Sequence, residues 1–95
     1  MFDKAKMMMQ LKKAQNELAK EIIEVEAGDG AVKVQVSCDQ KLKKVTIDPE
    51  QVDLDDIHEL ERWIEAAVKE AFTRSQQVAT EKVKPLMGAL GNLGL

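Results

Sequence analysis

Catalysis usually needs histidine, cysteine, serine or paired carboxylates set close together, and this chain of 95 residues offers little of that kind. Its one histidine, His58, falls in an acidic helix turn with no serine or cysteine placed by sequence to pair with it, so a solvated helix residue is expected. Its one cysteine, Cys38, has the apolar parity at a strand end and reads as a small core residue. A single cysteine also excludes an intramolecular disulfide and suits a reducing compartment. Asp53, Asp55, Asp56 and Glu59 crowd enough carboxylates for a divalent cation, but they lack the ligand loop of a calcium site and helix capping accounts for them. Gly28-Asp29-Gly30 is too short to cradle a phosphate and joins two strands, not a strand to a helix. The chain therefore reads as non-enzymatic, with no catalytic residue, no metal site and no cofactor.

What remains is basic charge. Lys4, Lys6, Lys12 and Lys13 flank the stripe of a first helix, and Arg74, Lys82 and Lys84 mark the far half of a second. The formal net charge is −3, but residues 1–20 carry +3, residues 48–65 carry −7 and residues 66–95 carry +2. Net charge argues against a polyanionic partner, whereas this partition leaves one open. Such lysines solvate most helices. If they bind nucleic acid, the contacts fall on phosphates and groove shape, because stacking aromatics, a helix-turn-helix pattern and zinc ligands are all missing.

The elements that would position these charges follow from periodicity. Residues 2–22 read as a helix, with Ala5, Met8, Leu11, Gln15, Leu18 and Ile22 at spacings of three and four. The stripe is narrow and rich in methionine, as at a helix–helix seam, and the Met7-Met8-Met9 run is read as packing there. Residues 23–48 switch to a period of two. Ile23, Val25 and Ala27, then Val32, Val34, Val36 and Cys38, then Val45 and Ile47 share one face, with turns at residues 28–30 and 39–41. Asp48-Pro49 stops the meander. A second helix spans residues 53–84, with Asp53 as its N-cap and a sheet-covering stripe of Ile57, Leu60, Ile64, Ala67, Val68, Ala71 and Phe72. Residues 85–95, with three glycines, read as a loose tail.

This is an α+β chain, read as a single domain over residues 1–95 in the order α-β-β-β-α. About 30 helical residues reach roughly 45 Å against roughly 20 Å for a strand of this size, so half of the second helix projects past the sheet. With only Phe2, Trp63 and Phe72 as aromatics, so small a core gains by burial against a second copy, and Trp63, off the sheet-facing line, is placed at that seam. The lysine-bearing N-terminus lacks the apolar run of a signal peptide, and a cytoplasmic location is expected with no membrane partner.

The succession "MMMQLKKAQNELAKEI", "EAGDGAVKVQVSCDQKLKKVTIDPE" and "LERWIEAAVKEAF" resembles the YbaB/EbfC family of bacterial nucleoid-associated proteins. The shared features are the Gln/Lys-rich first helix, the Gly-x-Gly-x-Val-x-Val hairpin at residues 28–34, "KVTIDP" at 44–49 and the helix at 60–71. The resemblance implies a homodimer whose paired helices stand out like tweezers and hold double-stranded DNA in the nucleoid. Where the family has a glycine-containing turn between the second and third strands, this chain has Cys38-Asp39-Gln40. The expected function is thus DNA binding by basic helix arms with little sequence preference. The competing expectation is a dimeric protein-interaction module whose arms dock another protein, favoured if Met7, Val78 and Val83 prove exposed.

Overall fold

The computed structural model describes residues 4–91, with side chains through residue 85. Five elements follow in order: α1 (Lys4–Lys20), β1 (Ile22–Ala27), β2 (Val32–Ser37), β3 (Lys41–Ile47) and α2 (Ile57–Gly91). Ile22 therefore opens the first strand and does not close the helix, and Phe2 lies outside the described residues.

The strands form one antiparallel sheet in the order β1-β2-β3. Val25 faces Val34, and Val34 faces Val45, so the period-two reading gives the right face throughout. Three residues of the first turn take left-handed backbone, Gly28 at φ 63°, Asp29 at 55° and Gly30 at 92°, which is why glycine flanks the aspartate there. A register shift at Gln35/Val36 leaves Lys43 without a direct partner and swings Leu42 onto the face of Val45 and Ile47.

α2 lies across β1 and β2, where Val25, Val32, Val34 and Val36 meet Ala67 and Ala71, with Leu60, Ile64, Val68 and Phe72 around them. Small alanines at positions 67 and 71 let the helix backbone sit close to the sheet. Trp63 packs against this same cluster, with its ring over Gly28, where an added Cβ would stand 2.5 Å from Cδ2. The tryptophan thus packs within its own chain, where it is half-buried. Val45 and Ile47 are on the expected face but are 39% and 40% exposed, because α2 covers only the other two strands.

The start of α2 also differs from the expectation. Asp56 caps it, its Oδ1 accepting from the Glu59 N–H at 3.2 Å, while Asp53 caps the preceding turn by accepting from the Asp55 N–H at 2.9 Å. Both aspartates suit a cap, and Asp56 is the one directly followed by Ile57 and the apolar stripe. At the other end α2 does not stop before Pro85 but runs through it to Gly91. Proline there costs one backbone hydrogen bond and crowds the carbonyl of Glu81, a defect that helix on both sides absorbs. The remainder of the expected tail, residues 92–95, lies outside the described residues.

Candidate nucleic-acid interface

The radius of gyration is 18.3 Å, against about 12 Å for a compact chain of this length, and the molecule measures 65 × 20 × 15 Å. The extra length is an arm made of α1 and the outer part of α2. On α1 Ala14 and Leu18 are buried and Met7 and Ala19 are half-buried, while Leu11, in line with them, is exposed. This pattern differs from the stripe expected from the sequence, since Met8 and Gln15 are exposed too. Leu18 and Ala19 share a cleft with Ala79 and Val83 of α2 and with the β2–β3 turn. Val78 and Val83 are half-buried, so the apolar residues that would have favoured protein docking are not the open ones.

An ion pair joins the two helices across this seam. Lys82 Nζ lies 2.7 Å from Glu17 Oε2. The Lys82 hydrogen bond, with its charge, holds the Glu17 carboxyl below the ordinary carboxylate range, and the same bond raises Lys82. Lys82 is consequently engaged in holding the arm together, and reversing it would alter more than surface charge. Arg74 is paired along its own helix, with Glu70 at 2.7 Å. Lys4, Lys6, Lys12, Lys13 and Lys84 are exposed. Helical geometry turns Lys12 and Lys13 away from the buried line of α1 and sets Lys6 on its flank, with Lys84 on the side of α2 turned from α1.

The structure adds a surface that periodicity passed over. Thr73, Gln76, Gln77, Thr80 and Glu81 line a shallow cleft of about 270 Å³ on the outer side of α2. From Ala71 to Thr80 there is not one carboxylate, in a chain that is 33% charged. Hydroxyls and amides of this kind donate readily to phosphate and sugar oxygens. The signal is present in "TRSQQVAT" as missing acid, which apolar periodicity does not register.

The acidic middle sits at the other pole, in the segment from Asp48 through the start of α2. Asp48 accepts from the Glu50 N–H at 3.0 Å and from Gln51 Nε2 at 2.9 Å, and the Gln51 bond chiefly lowers its carboxyl. These acids organise turns and a helix cap. Among the described residues no group of histidine, cysteine and carboxylates is arranged to hold a metal ion, and no helix is long and apolar enough to cross a membrane. Cys38 is buried, and burial pushes its thiol up, the opposite of an activated nucleophile.

Comparison with known proteins agrees with this architecture. The family model described as the YbaB/EbfC DNA-binding family matches residues 1–90. A nucleoid-associated protein of Chloroflexus aurantiacus is 39% identical over 87 residues, covering 92% of this chain and 87% of the relative. One from Saccharopolyspora erythraea is 44% identical over 86 residues, covering 90% of this chain and 74% of the relative. Among solved structures, an uncharacterized protein from Helicobacter pylori superposes with a TM-score of 0.79 at 14% identity, over 92% of this chain and 99% of that one.

Proposed function

Because the chain belongs to the YbaB/EbfC DNA-binding family, we propose that it is a nucleoid-associated protein that grips duplex DNA between the basic arms of a homodimer. The observation that carries this reading is the arm itself: a helix pair projecting past the sheet, lysine-rich on its outer sides and free of acid from residue 71 to 80. Its contacts go to phosphates and are sequence-tolerant. The charge partition orients the approach, since a −7 segment at the opposite pole is repelled by the polyanion while the arms are drawn in.

Reversing Lys12 and Lys84 to glutamate tests it while leaving in place the Glu17–Lys82 pair and Lys13, whose charge also lowers the Glu17 carboxyl. Affinity for two unrelated duplexes should fall by at least about tenfold at 0.1 M salt. The slope of log K against log salt should flatten by about 0.9 for each phosphate that is no longer neutralised. Reversal of Lys43 and Lys44, on the third strand, should have a smaller effect. Binding that is indifferent to salt, or an arm variant as tight as wild type, would remove the duplex reading. The protein-docking reading would then take its place, favoured by Met8 and Met9, which are 70% and 72% exposed.

The homodimer is supported by the uncovered part of the sheet. Leu42, Val45 and Ile47 continue the face of the chain's own core without a helix above them. An identical surface from a second copy would cover them, at about 1.5–3 kcal/mol for each such side chain fully buried. Val45→Asp should therefore shift the mass measured by light scattering from dimer toward monomer. A wild-type monomer at micromolar concentration would refute the assembly.

A further inference from the structure

The β2–β3 turn is built at a conformational disadvantage. Gln40 takes a φ of 68°, a left-handed geometry that glycine adopts freely and a side chain with a Cβ does not. Its side chain does something glycine could not. Nε2 donates to the Cys38 carbonyl at 3.1 Å, while Oε1 lies 2.9 Å from the Ser75 hydroxyl on α2. Ser75 is fully buried, and its hydroxyl is also 3.0 Å from the Phe72 carbonyl. The Cys38 N–H in turn reaches the carbonyls of Leu18 at 3.0 Å and Glu21 at 2.9 Å. One knot thus joins the end of α1, the end of β2, the turn and α2.

Its place along α2 gives it leverage. Ala67 and Ala71 belong to the sheet-bound core, whereas Ala79 and Val83 belong to the cleft with α1. Ser75 stands between them, where the helix leaves the sheet. Gly91 is 16 residues further on, about 24 Å at 1.5 Å per residue. A swing of about 10° at the knot would move that end by about 4 Å, more than a phosphate hydrogen bond tolerates.

We propose that Gln40 is a positioning residue: by holding Ser75 it fixes the direction in which α2 leaves the sheet, and so the spacing of the arms. Its consequence for DNA rests on the duplex-gripping function proposed above; the positioning itself does not. Gln40→Gly removes the side chain while relieving the backbone, so arm geometry and stability should part company. Ser75→Ala removes the hydroxyl that Gln40 holds and serves as the second variant.

The experiment is a spin-label distance measurement in the full chain. Labels go on cysteines replacing Glu24 on β1 and Lys84 on α2, both exposed and the second nine residues past the knot, with labelled chains diluted in unlabelled ones and buried Cys38 left in place. Wild type should give a narrow distance distribution and Gln40→Gly one at least twice as wide. Ser75→Ala should widen it likewise, and Gln40→Gly should melt no lower than wild type. Superimposable distributions would overturn the proposal, as would a fall in the Gln40→Gly melting point, which would make the residue merely structural. Duplex affinity is read on the same substitutions in chains without labels. A widened distribution with unchanged affinity would uphold the knot and remove the DNA grip.

Discussion

Val34→Asp should strip this protein of a large part of its stability. Val34 is fully buried on the middle strand, flanked by Val25 on one side and Val45 on the other, with α2 above. A carboxylate there must lose its water without a partner or take up a proton, and the valine's packing is lost as well. The expected cost is about 3–5 kcal/mol, against a total of roughly 5–14 kcal/mol for a domain of this size. Gln35→Asp is the matched control. Gln35 sits on the opposite face between Glu24 and Lys44, one of which repels the new charge and one of which attracts it. Its cost should stay within about 1 kcal/mol. Urea denaturation followed by circular dichroism separates the two, and equal losses would mean that the faces of β2 are wrongly assigned.

Gly28→Ala should be the next most damaging change, although alanine is the smallest side chain that can be added. The backbone there has φ 63°, and the new Cβ would lie 2.5–2.8 Å from three carbons of the Trp63 ring. Left-handed geometry costs about 1–2 kcal/mol for an L-residue. Moving the indole off the hairpin sacrifices its packing too, for about 2–4 kcal/mol in all. Gly30→Ala isolates the backbone part, because its Cβ would meet only Glu26 Oε2, at 3.7 Å. Trp63 emission should shift in the first variant and not in the second. Equal destabilisation by both would show that the ring contributes nothing at this turn.

How much could be read in advance depended on the distance over which each cause acts. Strand faces, turn positions and the order of elements are set by neighbours two to four residues apart, and the alternation of Val32, Val34 and Val36 specified them. The choice between Asp53 and Asp56 as helix cap was close because both have suitable chemistry, and only the position of Ile57 decides it. The exposure of Val45 depends on where a helix from elsewhere in the chain comes to rest. The partner of Lys82 is Glu17, 65 positions away and on another element, which no periodicity encodes. Trp63 over Gly28 is of the same kind. The arm charges were therefore legible as a set, while the engagement of Lys82 at the seam was not.

The strands pair in the order in which they leave the ribosome, and this bears on how quickly the molecule organises itself. Joining β1 to β2 and β2 to β3 closes only the short turns at residues 28–31 and 38–40, each at small entropic cost. Such local pairing belongs to fast folders, and the docking of α2 on the inner face then secures the register. The Gln40–Ser75 bond closes 35 residues and must wait for α2 to come down on the sheet. The Glu17–Lys82 pair closes 65 and belongs to the same late docking, so a chain caught before that step would hold a finished sheet and a helix not yet joined to it.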